Sequence, residues 1–161
     1  MVARYNGVAN ERVYAACARL GDEPYRRVSR ASFGSLHRTL NHLLLADRIW
    51  MARLTGTGFA VTPPLGQELY DALPELRVAR EAEDARIQAF MDALTEEAVA
   101  REVTYVNSAG LRYVDPVAVV IAHMFNHQTH HRGQAHVLLN EAGARPISLD
   151  LHRIIRPDPA E

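Results

Sequence analysis

Histidine is the residue type whose spacing could do chemistry in this chain. Four of its eight histidines, His123, His127, His130 and His131, fall within nine residues. Imidazole is a neutral nitrogen ligand near neutral pH and a preferred side-chain ligand for transition metals. His123, His127 and His131 recur every four residues, so a helix would line them up in one slowly drifting stripe. With His127 at zero on a helical wheel, His123 falls at about −40°, His131 at about +40° and Gln134 at about −20°. Val120 and Leu138 share that direction, which predicts that the stripe continues the apolar face and that His127 and His131 point inward. His130 falls at the edge of the face, and His136 roughly opposite it, on the outside.

Two imidazoles at i and i+4 can share one ion, but a tight site needs at least a third ligand, usually from another element. The segment Asn41-His42-Leu43-Leu44-Leu45-Ala46-Asp47 offers His42, which shares a wheel direction with Thr39, Ala46 and Ile49. His37 lies off that direction and is expected to face solvent. His42, His127 and His131 therefore form a possible three-histidine site. Three neutral ligands leave an ion's coordination sphere open, which is the catalytic rather than the structural pattern. A partly buried polar seam or a helix contact accounts for the His127 and His131 spacing as well. His123 is open to a ligand, supporting or core role, and Phe33, Trp50 and Met51 read as core.

Missing patterns narrow the chemistry. The run lacks His-Glu-x-x-His, so the helix carries no general base of the zinc-protease kind. It lacks Glu-x-x-His, which argues against a carboxylate-bridged di-iron bundle. No glycine-rich phosphate loop or Gly-x-Ser-x-Gly elbow is present. Cys17 is the only cysteine, so neither an internal disulfide nor a Cys-rich zinc site is available, and a reducing, cytoplasmic setting is expected.

The elements that must position these histidines can be read from periodicity. A first helix is expected from Met1 or Arg4 to Leu20, ended by Gly21-Asp22-Glu23-Pro24. A second is expected from about Ser32 to Leu54, with Ser32 or Ser35 as cap, closed by Gly56 and Gly58. A third spans about Gly66 to Leu94, where Pro74 demands a late start or a kink, and its charged middle from Arg77 to Arg86 reads as a solvated face. Val103–Val106 and Leu111–Val114 flank Asn107-Ser108-Ala109-Gly110 as a short hairpin. Asp115-Pro116 then reads as cap and first residue of a fourth helix reaching about Ala142. The piece from Leu149 to Ile155 is expected to dock on the bundle, and Asp158 to Glu161 to fray. The sum is an all-α four-helix bundle with a hairpin between the third and fourth helices, in one domain over 1–161.

Bulk properties agree. The chain has 161 residues with 48% apolar content, enough for one sizeable core. Its net charge is −1, and its basic residues are scattered arginines without one lysine, so no overall field favours nucleic acid or an anionic membrane. The N-terminus lacks the long apolar core of a signal peptide, and no apolar run nears the roughly 20 residues needed to span a bilayer.

The segment Asn126-His127-Gln128-Thr129-His130-His131-Arg132-Gly133-Gln134 resembles the signature of the DinB-like (DinB/YfiT) superfamily, a His-x-x-x-His pair followed by Arg-Gly-Gln. Asn41 to Asp47 resembles that family's first metal histidine followed by an acidic position, and the order of elements matches too. The resemblance covers most of the chain. It implies a four-helix bundle, often dimeric, with one divalent ion (zinc, nickel or iron-like) held by His42, His127 and His131. It further implies a metal-dependent enzyme that activates a thiol or water, as a thiol S-transferase or hydrolase-like protein, with a small-molecule substrate and a low-molecular-weight thiol as partners. The alternative is a non-catalytic dimeric metal- or ligand-binding stress-response module. On the wheel Gln134 points the way of the ligands and could orient a histidine or a water. Arg132 is expected to pair with a carboxylate or a neighbouring helix, and Gly133 to let another helix approach closely.

Overall fold

The computed structural model describes residues 1–30, 33–57 and 62–157. Four long helices dominate it: α1 (Val2–Cys17), α3 (Leu36–Thr55), α4 (Leu73–Asp92) and α6 (Val117–Glu141). Three single-turn helices, α2 (Asp22–Arg26), α5 (Glu96–Val99) and α7 (Leu151–Ile155), lie between or after them. Strands β1 (Glu102–Val106) and β2 (Arg112–Pro116) pair antiparallel between the third and fourth long helices, with Tyr105 opposite Tyr113. α1 packs on α4 and α6, and α3 packs on the same two, which closes the all-α bundle. No helix among the described residues is long and apolar enough to cross a membrane.

Local chemistry sets the helix ends. The Ser35 hydroxyl accepts from the Arg38 amide at 3.1 Å and caps α3, while Gly56 closes it at φ 68°, a left-handed conformation that side chains with a Cβ resist. Ser32, Gly58 and the residues from Asp158 onward lie outside the described residues. Pro74 sits in the first turn of α4, so the helix starts late and does not kink. α1 ends before Gly21, and Asp22 and Pro24 go on to build the turn of α2. One expectation fails at a helix start. Asp115 and Pro116 finish β2, and Asp115 accepts the Tyr105 hydroxyl at 2.6 Å rather than capping α6. Ladder pairing outcompetes the cap because Asp115 still has Val103 opposite it. The tail docks as expected: Ile154 is buried, and Tyr5 and Arg12 on α1 donate to the Leu149 and Ser148 carbonyls.

The core is layered. One apolar cluster gathers Val13, Leu40, Leu44, Leu76 and Leu139; a second gathers Ala3, Met51, Ile87 and Met124. Between them, on every long helix, come polar residues. Arg80 donates to Asp47 at 2.8 Å and pairs with Asp84 at 3.0 Å. Asn10 donates to Asp84 at 3.0 Å, and Arg132 donates to the side-chain oxygens of Asn6 and Asn10 at 2.7 and 3.0 Å. Two arginines and two aspartates thus form a formally neutral chain through α3, α4, α1 and α6. The charged middle of α4 is therefore not wholly solvated, since Arg80 and Glu83 are buried. Arg132 does meet a neighbouring helix, through amide oxygens.

The polar layer also explains where the α6 reading drifts. Its buried face runs through Met124, Gln128, Arg132, Ala135 and Leu139, about a quarter turn from His127. Two polar residues occupy that face at mid-bundle, so the hydrophobic pattern pointed to the histidine stripe instead. His127 and His131 are half-buried at the edge of the core, His123 and His130 are exposed, and His136 is intermediate. Among the described residues a Cβ at Gly133 would meet nothing within 4 Å, so no described helix approaches it closely.

Candidate metal centre

α3 and α6 pack side by side, and this contact brings His42 to His127 and His131. Each of the three offers one ring nitrogen, and these atoms lie within 4.8 Å of one another. The sequence-predicted trio is brought together; His123 and His130 stay outside it. His42 Nε2 and His127 Nε2 stand 3.1 Å apart. Two nitrogens on one tetrahedral zinc, each at about 2.0–2.1 Å, are separated by a similar distance.

Neighbouring groups fix the ring tautomers. His42 Nδ1 lies 2.9 Å from the Leu65 carbonyl, which can only accept, so Nδ1 carries the proton and Nε2 keeps its lone pair. His131 Nδ1 donates to Gln134 Oε1 at 2.8 Å, which likewise leaves Nε2 as the ligand atom. Gln134 thus orients a histidine, as its wheel position suggested. Such outer partners orient metal-binding imidazoles and raise their basicity. His127 Nδ1 is buried with no hydrogen-bond partner among the described residues. Its Nε2 faces another lone pair, so no tautomer of His127 satisfies both nitrogens. A cation between the rings would accept both Nε2 lone pairs, and the residues present fit a divalent ion.

Electrostatics keep the ligands neutral. Burial holds the His42 and His131 imidazoles below their ordinary value. His127 is pushed down to about 3, by burial first and then by the surrounding histidines. Among the described residues no carboxylate belongs to the cluster. Cys17 is buried, and desolvation pushes its thiol up to about 12, which removes it as a nucleophile.

Two residues read as core belong to the site. Phe33 stacks on the His42 ring at 3.8 Å between centroids and meets His131 edge-on at 5.3 Å. Trp50 meets His123 at 4.8 Å and helps line a cavity of about 310 Å³ that opens beside His42 and His127. Met51 is core, as expected.

The Leu65 carbonyl is held by residues that sequence reasoning missed. His37, expected in solvent, is buried: it donates from Nε2 to Glu68 at 2.9 Å and meets the Tyr25 hydroxyl at 3.0 Å. Arg38 also holds Glu68, at 2.8 Å. Asn41 Oδ1 accepts from the Leu69 and Tyr70 amides at 2.8 and 3.0 Å. These contacts pin the loop before α4 onto α3 and so set the partner of His42. The available signal was Asn41 beside His42, a side chain able to bond a loop in both directions.

Comparison with known proteins agrees with this architecture. The family model described as DinB family matches residues 1–160. The chain is 24% identical over 143 residues to Protein DinB of Bacillus subtilis (strain 168), covering 86% of this chain and 83% of that protein. Its fold matches the crystal structure of a DinB-like protein from Bacillus cereus ATCC 10987 with a TM-score of 0.64 and 18% identity, over 87% of this chain and 89% of the other. With the match running almost end to end and the histidines converging between α3 and α6, the chain belongs to the DinB family.

Proposed function

We propose that His42, His127 and His131 hold one divalent ion, zinc, nickel or iron-like, and that the protein is a metal-dependent enzyme of the thiol S-transferase or hydrolase-like kind. The observation that carries this is the convergence of three ring nitrogens within 4.8 Å, with Leu65 and Gln134 fixing two tautomers. A divalent ion on three neutral imidazoles supplies Lewis acidity and a lowered pKa for a water or thiol at an open position. The chain supplies the rest. Leu65 and Gln134 keep two imidazoles aimed, Phe33 covers one side of the His42 ring, and the adjoining cavity receives a small-molecule substrate. With Cys17 buried and protonated, the sulfur comes from a low-molecular-weight thiol.

The first test is elemental analysis of untagged protein. Stoichiometric metal is expected in the wild type and background levels in His127→Ala and His131→Ala; full metal in both variants would sink the site. The second test is consumption of a thiol with a chlorinated or epoxide electrophile, expected to be faster in the wild type than in His42→Ala. No turnover across a broad thiol panel would leave a non-catalytic binding module. A homodimer is part of the proposal, carried over from the family resemblance, and light scattering would test it. So is a reducing, cytoplasmic setting, in keeping with one free cysteine.

A further inference from the structure

The cavity beside the histidines has an asymmetric wall. Ile49, Trp50, Tyr105 and Tyr113 make it apolar and aromatic, and Arg53 is the one arginine among its described lining residues. No aspartate or glutamate lines it among the described residues. Arg53 lies in the last turn of α3, half-buried, with its guanidinium carbon 4.3 Å from the centroids of both the Trp50 and Tyr105 rings. No described carboxylate pairs with it, unlike the arginines at positions 26, 27, 38, 48, 77, 80, 86 and 101. Burial disfavours its charge, and the group that opposes this is the Tyr105 hydroxyl rather than an acid.

The two rings meet edge-on at 5.6 Å and the guanidinium sits in the corner between them, which leaves N–H groups for an acceptor, and a carboxylate matches a guanidinium edge bidentately. A half-buried cation without a described counter-ion, lining the same pocket as two candidate ligands, is the arrangement of an anion anchor. A volume of about 310 Å³ suits a small molecule.

We propose that this cavity binds a small organic carboxylate, with the carboxylate on Arg53 and an apolar body along Ile49, Trp50 and Tyr113. The assignment of the other end of the molecule to the reacting site rests on the function proposed above; the carboxylate anchor itself does not. Asn107 adds polar capacity at the hairpin turn: its Oδ1 accepts the Ala109 and Leu111 amides, which leaves its NH₂ group as a donor.

The test uses 3-phenylpropionate and its neutral amide, 3-phenylpropanamide, titrated into the full chain as purified and after EDTA dialysis. Trp50 is the only tryptophan, so its fluorescence reports on this cavity directly, and calorimetry gives a second reading. The carboxylate is expected to bind at least tenfold tighter than the amide in both metal states. Arg53→Gln should erase the difference and Arg53→Lys should keep part of it. Equal binding of the two probes, or no binding of either, overturns the proposal. So does a preference that survives Arg53→Gln, or one that disappears with EDTA, which would make the carboxylate a metal ligand. If Arg53 only clamped the hairpin to α3, Arg53→Gln would weaken both probes alike, and that result also overturns it. His127→Ala separates the two readings: loss of metal with the carboxylate preference intact supports the anchor independently. A wild type that binds no metal yet keeps the preference sinks the enzyme reading alone.

Discussion

Replacing Arg80 with methionine removes the centre of the polar layer while keeping most of its volume. Asp47 is fully buried and loses its Arg80 hydrogen bond of 2.8 Å. Asp84 loses a partner at 3.0 Å but keeps Asn10. Stripping one partner from a buried ion pair costs roughly 3–5 kcal/mol, because the remaining charge is left uncompensated. That is a large part of the roughly 5–15 kcal/mol that holds a domain of this kind together. Burial already pushes Asp47 up to about 6, with Arg80 pulling against it, so removing Arg80 raises it further. The folded state then holds the proton more tightly than the unfolded chain, whose aspartate titrates near about 3.9. The variant should therefore gain stability relative to wild type as pH falls through its own folded value, and that relative gain should level off below about 6, where Asp47 is protonated in both proteins. Urea unfolding followed by far-UV circular dichroism at pH 7.5 and 5 reads both effects, with Arg80→Lys as a milder version should Arg80→Met fail to fold. Removing Asp47 as well, in Arg80→Met/Asp47→Leu, should recover much of the loss, since a pair replaced by apolar residues is often near neutral. A loss under about 1 kcal/mol for Arg80→Met, or a double variant no more stable than the single, would refute the view that this layer is a coupled charge pair.

Metal binding should stabilise the native state by mass action, by about 2.7 kcal/mol at a hundredfold excess over Kd. EDTA should lower Tm in the wild type and leave that of His42→Ala unchanged, as read by differential scanning calorimetry. Protons compete with metal only when the ligands can take them up. Burial lowers the imidazoles of His42, His127 and His131, so affinity should hold as pH falls to the ordinary imidazole value of about 6.5 and weaken only below it. A competition titration with a chromophoric chelator whose own pH dependence is known would expose an earlier fall. Cys17, buried and pushed up to about 12, should resist a thiol-specific disulfide reagent at pH 8 in native protein and react fully in urea. Fast native reaction would mean that the α1 packing opens readily.

Much of this molecule is written in short-range signals. Ser35, Gly56, Pro74 and the Asn107 to Gly110 turn each state a backbone requirement, and each stands where it was expected. The α6 pair was legible because four-residue spacing fixes a face without knowledge of neighbours, whereas His42 as their partner rested on its wheel direction and on the family resemblance. What escaped the sequence depends on partners from elsewhere in the chain. His37 looked like a solvent residue until Tyr25 and Glu68 closed over it. Arg80 looked like one charge among many because its partner Asp47 is 33 residues away. The orientation of α6 drifted for the same reason: a core that is polar at mid-height has no hydrophobic signature. Trp50 and Phe33 carry the bulk of core residues, and only their positions show that they border the candidate centre.

The cavity wall is built from two kinds of material. The histidines stand on helices locked by the polar layer, whereas Tyr105, Asn107 and Tyr113 stand on a ribbon whose ladder bonds run only within itself. A change at positions 105 to 113 can reshape the cavity without altering the register of α3 against α6. Divergence among related chains can therefore run at two speeds. Selection can search new ligands by rewriting hairpin residues, while the imidazole cluster is inherited unchanged.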